Sequence, residues 1–325
     1  MKNSIFDKRR AIEAMCLARP GLLRGLASSF YPASDHLLRH NPDWWDWLLL
    51  SSNKSLPWSN DLIFDYREGW DWVTLSGNPH LPWDMKLIGS YRWHRARLSA
   101  NPGLPWTIAL IEANVGRWDW KGLSANGGLP WSIEFIERFH DRWDWNELSM
   151  NTMLPWSIDL IDLFHDKWHW PLLNMNAGIP WRKPGLVDKY KDKLSWKLFS
   201  HVPNLKWTRD SLENDKALWD WQALSGNAGL PWNRKFMMRY LTRWDWKALS
   251  ANQYVRWTRR LIDRNVKRVH WPQLSANTGV VWTVGLLLKY RECFDWEAVA
   301  RNEGAWDKVF KDYVDEGLIW RGVAE

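Results

Sequence analysis

The chain has 325 residues, 46% of them hydrophobic, with 44 Lys and Arg against 37 Asp and Glu, giving a formal net charge of +7. This composition excludes a disordered chain, and two cysteines at opposite ends, Cys16 and Cys293, exclude a disulfide framework or a multi-cysteine zinc site. No apolar stretch is long enough for a membrane span or a signal peptide, so we expect a soluble, cytoplasmic or otherwise intracellular protein with no membrane partner.

Residues 1–41 are predicted to form an N-terminal capping region. Ser4 to Leu17 has the pattern of an amphipathic helix. Residues 33–44 follow in the register of a degenerate repeat, with Pro32-Ala33 at the place of a Pro-Trp pair. Because the end of a repeat stack exposes an apolar face, we expect these helices to cover it.

Residues 42–320 consist of a tandem repeat with a step of nearly always 25 residues and the pattern W-D-W-x-x-L-S-x-N-x-x-L-P-W-S-x-x-L-I-x-x-Y/F-x-x-R. Three tryptophan rows account for 30 of the 31 tryptophans. The first Trp of the triplet stands at 45, 70, 93, 118, 143, 168, 219 and 244. The second stands at 47, 72, 120, 145, 170, 196, 221, 246, 271, 296 and 320. The third, after Pro in most copies, stands at 58, 83, 106, 131, 156, 181, 207, 232, 257, 282 and 306.

Residues 118–142 serve as the reference copy. Asp119 has N-cap chemistry, which predicts a short helix to about Asn126. Asn126 and Gly127-Gly128 are expected in the left-handed conformation that ends a helix. After an extended corner, Ser132 is expected to cap a longer helix from Ile133 to about Asp141.

Two sets of repeated residues are predicted to be structural. The tryptophans are interpreted as a continuous stacked core, because a single repeat cannot cover its own apolar face. The repeated asparagines are interpreted as buried amides that satisfy backbone groups at the corners, with one break at Val202. In the copies nearest the reference, these structural ladders contain Trp120, Trp131, Trp145, Trp156, Asn126 and Asn151.

The copy at 181–207 departs from the pattern. It has one extra residue, Pro184-Gly185 inside the expected helix, Leu194 for the first Trp, and Pro203 beside the missing Asn. These changes predict a bend or local loosening of the stack. Because three tryptophans of the lattice persist there, a single domain is favoured over a boundary. At the other end Trp306 to Trp320 is predicted to cap the stack, and residues 321–325 are predicted to be a frayed tail.

The fold class expected is an all-α, right-handed superhelical solenoid of about eleven repeats, each a short and a longer helix, either α/α or α/3-10. The segment Leu-Ser-Ala-Asn-Pro-Gly-Leu-Pro-Trp at 98–106, followed by Leu110-Ile111, resembles the leucine-rich variant repeat, an all-helical solenoid alternating α and 3-10 helices. It is also similar to the Trp-Asp-Trp and Asn-Pro-x-x-Pro-Trp repeats of predicted proteins in large DNA viruses and bacteria. Neither resemblance brings a catalytic motif.

The candidate binding residues are those that vary against the lattice. Residues 1–175 carry a net charge of −2, whereas 182–268 hold 20 Lys and Arg against 8 Asp and Glu. Second after the third-row Trp, the chain has Ile108, Ile133 and Ile158 in early copies, then Arg209, Arg234 and Arg259. Further cations stand beside that row, at Arg182, Lys183, Lys235 and Arg260. With coils roughly 9–10 Å apart, the row would form a line of charge suited to a phosphate backbone or an acidic protein face. The isoleucines, if exposed, would form an apolar stripe suited to protein.

Two other sets of residues, a group of histidines and a row of cations, have side chains that often occur in functional sites. His140, His165 and His169 form a weak candidate metal cluster, but each falls at an expected exposed position near a helix end, so no metal site is predicted. A row of cations just before the triplets, from Arg117 to Arg268, is interpreted as helix C-terminal charge paired with the following Asp. No phosphate-binding loop, dinucleotide fingerprint or activated nucleophile is present, which predicts a protein that is not an enzyme and has no cofactor.

The function expected is that of a scaffold that presents its elongated surface to a protein partner. The alternative is nucleic-acid binding through the basic segment 182–268. The two differ in salt dependence, because polyanion binding weakens steeply as salt rises.

Overall fold

The structure, a computed structural model, describes residues 2–183, 185–205, 207, 212–213 and 219–324. Within these ranges the regular elements are helices, with one isolated parallel bridge between Trp257 and Val280. The chain forms two compact units, one made of residues 72–231 and the other of residues 1–71 with 232–325. The all-helical repeat architecture predicted from the sequence is thus confirmed.

Each coil contains a first helix that starts at the second Trp of the triplet or, once, at Arg95. In most coils the preceding Asp is the N-cap, as when the Asp119 carboxylate accepts from the Gly122 N–H at 2.7 Å. These first helices are α4 (Trp47–Ser52), α6 (Trp72–Ser76), α8 (Arg95–Ser99), α10 (Trp120–Ala125), α12 (Trp145–Met150), α14 (Trp170–Leu173), α16 (Trp196–Phe199), α17 (Trp221–Gly226), α19 (Trp246–Ala251), α21 (Trp271–Ala276) and α23 (Trp296–Ala300).

A second helix follows the corner of most coils, and a Ser, Thr, Asn or Asp usually caps it. Ser132, for example, accepts from the Phe135 N–H at 3.1 Å. The second helices are α5 (Asn60–Asp65), α7 (Met85–Ser90), α9 (Ile108–Ala113), α11 (Ile133–Arg138), α13 (Ile158–Leu163), α15 (Leu186–Tyr190), α18 (Arg234–Arg239), α20 (Arg259–Asn265) and α22 (Val284–Lys289).

The remaining helices lie at the chain ends. They are α1 (Lys2–Leu17), α2 (Pro20–Phe30), α3 (Asp35–His40), α24 (Glu303–Ala305) and α25 (Glu316–Ala324). A 3-10 turn at Pro42–Trp44 precedes the first coil, and a π-helical turn at Trp306–Phe310 follows α24.

The second helix of the reference coil is shorter than predicted and equals the first in length. It ends at Arg138, not near Asp141. The Trp143 indole Nε1–H donates to the Ile136 carbonyl at 2.9 Å, which is one of the terminal carbonyls left without a helical partner. The distinction between a short and a longer helix was therefore wrong for this coil.

The prediction of left-handed residues at the corner was also wrong. Asn126 is extended, with φ −78° and ψ 114°. Among the described residues only Gly185 has a positive φ. Gly128 is needed for a different reason: a Cβ there would lie 2.7 Å from the Pro102 carbonyl oxygen of the preceding coil. The close approach of two backbones, and not the helix end, selects glycine at this place.

Buried asparagines tie each corner to the previous one. The Asn126 side-chain N–H groups donate to the carbonyls of Ser99 at 2.8 Å and Asn101 at 3.2 Å, while its Oδ1 accepts from the Gly128 N–H at 2.8 Å. The same bonds recur at Asn101, Asn151, Asn176 and Asn277. These amides complete the hydrogen bonding of buried backbone groups, which is the role of a structural ladder.

A second ladder, of buried serines, was missed by sequence reasoning. Ser124 donates to the Trp120 carbonyl at 2.7 Å and accepts from the Asp144 N–H of the next coil at 2.9 Å. Ser28 accepts in the same way from the Asp46 N–H at 3.1 Å, so α2 takes the place of a first helix. The Ser of the repeated Leu-Ser pair was the available signal.

The three tryptophan rows differ in burial. The first row is buried at positions such as Trp118, Trp143 and Trp168, whereas the described second-row residues, Trp120 and Trp145 among them, are half-buried or exposed. In the third row Trp131 and Trp156 are half-buried. The prediction that all rows form one core was therefore too broad.

Hydrogen bonding explains why the repeat selects indole and not another aromatic ring. Trp131 donates from Nε1 to the Asn126 carbonyl at 2.9 Å, and Trp145 donates to the His140 carbonyl at 3.2 Å. Phe cannot make such a bond, and the Tyr hydroxyl lies elsewhere on the ring.

In the irregular coil, the second helix starts late, at Leu186, and Gly185 precedes it with φ 81°. Pro184 lies outside the described residues. Asn204 compensates for the loss of the ladder Asn at Val202, because its side-chain N–H groups donate to the carbonyls of Ala177 at 2.9 Å and Ile179 at 2.8 Å. The two bonds to the preceding coil are kept at a displaced position, whereas the Asn204 Oδ1 has no hydrogen-bond partner among the described residues.

The two chain ends pack on one another inside their compact unit. Phe30 stacks on Trp306 with ring centroids 5.6 Å apart, and the Arg19 guanidinium lies 4.4 Å from the Trp296 ring. The predicted frayed tail is wrong, because α25 continues to Ala324 and Gly322 packs so tightly on Leu23 that a Cβ would lie 2.4 Å from its Cδ2.

Neighbouring second helices are joined by polar contacts. The Tyr190 hydroxyl donates to Asp162 at 2.7 Å, and Lys189 pairs with the same carboxylate. These donors hold the pKa of Asp162 below its ordinary value. Tyr66 with Asp35, and Tyr290 with Asp263, repeat the arrangement.

Candidate functional site

The predicted basic residues fall into two groups. Arg182 and Lys183 are exposed in the unit formed by 72–231, and the Arg182 guanidinium donates to the Leu205 carbonyl at 2.6 Å. Arg209 lies outside the described residues. The rest of the predicted set, Arg234, Lys235, Arg259 and Arg260, is exposed in the other unit, at the start of α18 and α20.

Helices α18 and α20 border an open cavity of about 880 Å³, which we call the basic groove. Six cations line it: Arg234, Arg256, Arg260, Arg264, Lys267 and Arg268. Its other lining residues are apolar or neutral, so no Asp or Glu lines the groove. Such a volume is typical of ligand pockets. The structure thus brings Arg234 and Arg260 to one site, whereas Lys235 and Arg259 do not line it.

The floor of the basic groove is apolar. Its apolar lining includes Met237, Met238, Leu241, Trp246, Leu261 and Val266. Met237 is buried, whereas Met238 is 52% exposed and Val266 is 37% exposed. An apolar floor with a charged rim is the usual composition of a binding site.

Trp246 faces the basic groove because this coil lacks two aromatic rings that other coils have. In six other coils the second-row Trp contacts a Tyr or Phe of the following second helix, with ring centroids 5.0–5.4 Å apart. Asn265 stands at the place of that ring, and Val269 stands at the place of the first-row Trp. The cavity is therefore a departure from the lattice and not a general property of the repeat.

The cations of the basic groove have no acidic partners among the described residues, since none of the ion pairs found there includes them. Arg259, outside the groove, lies 4.0 Å from Asp263, and Asp263 is also bound to Lys289 at 2.6 Å. Inside the groove, the Arg268 guanidinium lies 5.7 Å from the centroid of the Trp246 ring. The groove consequently has a positive potential that an anionic ligand would relieve.

Three groove cations, Arg256, Arg264 and Lys267, were not singled out from the sequence. A signal existed at Arg256, which replaces the Pro before a third-row Trp. The clearer signal was Asn265, which breaks the row of Tyr and Phe.

The three isoleucines do not form an exposed stripe. Ile108, Ile133 and Ile158 are the first residues of α9, α11 and α13, and each is half-buried.

The histidines and cysteines show no shared chemistry. His140 contacts Asp141 at 3.1 Å, and His169 caps α14 by accepting from the Leu172 N–H at 3.3 Å. Across the described part of the chain no group of three or more His, Cys, Asp or Glu is placed to hold a metal ion, so His165 does not join the other two in such a group. Burial raises the pKa of the Cys16 thiol to about 12, which disfavours the nucleophilic thiolate.

Cations before the triplets contact indoles where aspartate pairing was expected. Arg142 lies 5.6 Å from the ring centroid of Trp120, and Lys193 lies 4.7 Å from that of Trp170. This is cation–π contact within one coil, between its last residue and its second-row Trp, and the triplet Asp is occupied in capping.

Among the described helices none is both long and apolar enough to cross a membrane. Comparison with known protein families, with curated proteins and with solved structures found no match.

Proposed function

We propose that this chain is a non-enzymatic binding protein whose partner is another protein, engaged through the basic groove between α18 and α20. The observation that carries the proposal is the composition of that groove: six cations and no acidic residue line it, together with apolar side chains such as Leu241 and Leu261. Protein interfaces gain most of their affinity from such desolvated apolar pockets, with charged residues at the rim setting orientation and rate.

The repeated residues support the same conclusion. The amides of the Asn ladder and the hydroxyls of the Ser ladder are occupied in backbone hydrogen bonds, as at Asn126 and Ser124. The proposed role therefore falls to residues that break the repeat, and two of these, Arg256 and Asn265, line the groove.

Affinity capture with matched charge variants tests the proposal. The tagged chain is incubated with nuclease-treated lysate of its source, beside Arg234→Glu/Arg260→Glu and a control, Lys247→Glu/Lys308→Glu, which makes the same change in net charge at exposed sites outside the groove. A defined protein partner should be retained by the wild type and the control at moderate salt. It should be lost from the groove variant.

Nucleic-acid binding is the second candidate, favoured by the same unpaired cations. It predicts that a parallel capture from lysate without nuclease retains only DNA or RNA, and that this binding falls steeply between low and physiological salt. Retention of nucleic acid alone would overturn the protein-partner proposal.

A further inference from the structure

We propose that the basic groove holds an aromatic side chain of an acidic peptide segment, seated against Trp246 in the place that a Tyr or Phe of the chain itself occupies in other coils. This inference rests on the proposed function and specifies the chemistry of the partner. It follows from the two residues that are missing from the aromatic lattice.

The first step is the shape of the empty place. In the coil of Trp120, Phe139 lies 5.2 Å from the indole and Trp143 lies 4.9 Å from it. In the coil of Trp246 the corresponding residues are Asn265 and Val269, and the nearest aromatic ring found for Trp246 is Trp257, 6.5 Å away. The smaller side chains leave room beside Trp246 for a ring.

Asn114 shows that the same substitution need not open a cavity. It also stands at the Tyr/Phe position, but Arg95 replaces the second-row Trp of that coil and donates to the Gly116 carbonyl at 2.9 Å and to the Trp118 carbonyl. In the basic groove the Trp has been kept and only its partners are missing. Trp296 has no ring at these two positions either, but the Arg19 guanidinium lies 4.4 Å from its ring, whereas Trp246 lines an open groove.

The polar groups of the groove favour a side-chain ring over a nucleobase. Asn233 caps α18 by accepting from the Phe236 N–H at 3.0 Å. Thr258 caps α20 by accepting from the Leu261 N–H at 3.3 Å. Asn265 donates to the Leu261 carbonyl at 2.9 Å. These neutral polar residues are engaged with backbone, which leaves cations as the main polar lining. Lys and Arg only donate hydrogen bonds, so the N–H groups on the edge of a base would find few acceptors in the groove, whereas Phe has no polar edge.

The charges define the surroundings of the ring. Arg234, Arg260 and Arg264 line the groove from the two helices that border it. Carboxylates on either side of an inserted ring would meet these guanidinium groups, which favour planar, bidentate contacts with carboxylate. The flexible side chains of Met237 and Met238 suit an apolar anchor whose shape varies.

The test uses two fluorescein-labelled twelve-residue peptides of Asp and Glu, one with a single central Phe and the other with Ala in its place. Fluorescence anisotropy with the full chain should give an affinity at least about tenfold higher for the Phe peptide, as expected of a buried aromatic anchor. Equal affinity for the two peptides would overturn the proposal.

The decisive variant is Asn265→Tyr, which restores the ring present in other coils. It should fill the place beside Trp246 and remove the preference for Phe, while circular dichroism and thermal stability stay at or above those of the wild type. An unchanged Phe preference in this folded variant would contradict the inference. The variant Arg260→Glu/Arg264→Glu should lower the affinity for both peptides. The control Lys247→Glu/Lys308→Glu should lower either affinity only by the small amount expected from its reduced net charge.

The same anisotropy measurement is made with a fluorescein-labelled oligo(dT) of twelve nucleotides. Tighter binding of the oligonucleotide than of the Phe peptide, lost in Asn265→Tyr, would assign the place to a base and overturn the peptide proposal. If a protein partner is captured and its binding is insensitive to Asn265→Tyr, the inference fails while the proposed function stands. If only nucleic acid is captured, the proposed function fails.

Discussion

Asn126 illustrates how one repeated side chain links two coils. Its amide satisfies two carbonyls of the preceding corner and one N–H of its own corner, and only 1% of the residue is exposed. Removing the amide leaves the Ser99 carbonyl and the Gly128 N–H without this partner, whereas the Asn101 carbonyl keeps a bond from the Trp106 indole at 2.8 Å.

Asn126→Ala should therefore lower the free energy of unfolding by about 2–4 kcal/mol, since a lost net hydrogen bond is compounded by the desolvation of unpaired groups. Urea denaturation followed by tryptophan fluorescence measures this. The control is Asn114→Ala, whose half-buried amide donates only within its own coil, to Leu110 at 3.2 Å, and should cost about 1 kcal/mol or less. Equal losses of unfolding free energy in the two variants would show that the bonds of the Asn ladder stabilise the fold no more than a bond within one coil.

At the residue scale the sequence predicted the N-caps and the buried amides because both depend on local chemistry and regular spacing. Asp119 and Asn126 could be read in this way. Asn204 could not, because it stands outside the regular Asn spacing, and Ser124 could not, because its sequence context does not show that it accepts from Asp144 of the next coil. Asn265 was overlooked because a loss of one ring stands out less in a sequence than a gain of several charges.

The corner between the helices is the element in which neighbouring backbones come closest. Gly128→Ala should cost about 1–3 kcal/mol, because the added Cβ meets the Pro102 backbone at 2.7 Å. Gly226→Ala, at the end of α17 with no atom within 4 Å of the added Cβ, should be neutral or stabilise by up to about 1 kcal/mol. Thermal denaturation of the two variants compares them, and a neutral Gly128→Ala would contradict this account of the corner.

Acid should weaken the polar contacts between second helices. Because the folded pKa of Asp162 lies below its ordinary value of 3.8, its contribution to stability is present above that value and is lost as the pH falls through the lower folded pKa. The exposure of the pair makes the effect modest. Asp162→Asn should give a shallower loss of stability with acid than the wild type in urea titrations from pH 6 to pH 2.5. Identical pH profiles of stability for the wild type and Asp162→Asn would show that Asp162 does not contribute to the loss of stability in acid.

Helix boundaries show why element-scale prediction stopped short. The start of α11 follows from Ser132, a local cap, and was predicted correctly. Its end at Arg138 recurs at the same repeat position in α9 and α22, so six residues is the common length of these second helices. Hydrophobic periodicity does not show where a helix ends, so the predicted helix was too long.

At the scale of the whole molecule, the repeat pattern could not predict that the two chain ends pack on one another. A repeat pattern indicates contacts between neighbouring copies, whereas this contact joins residues near opposite ends of the sequence. Gly25 lies at the centre of this contact: a Cβ there would be 2.8 Å from the Cβ of Ala300. The small residue lets α2 approach α23 closely.

Gly25→Leu should force α2 away from α23, lower the free energy of unfolding by about 1–3 kcal/mol and raise hydrogen exchange in residues 296–324. Gly21→Leu, on the exposed side of the same helix with nothing within 4 Å, is the matched control and should leave that exchange unchanged. If Gly25→Leu affected only residues near position 25, the coupling of the two ends would be disproved.

The central claim is that a protein partner engages the basic groove. The most direct test is hydrogen exchange of the full chain, alone and saturated with the partner obtained by affinity capture. The account predicts that protection is concentrated in residues 234–241 and 256–268. Protection confined to residues 72–231, with the groove unchanged, would contradict it.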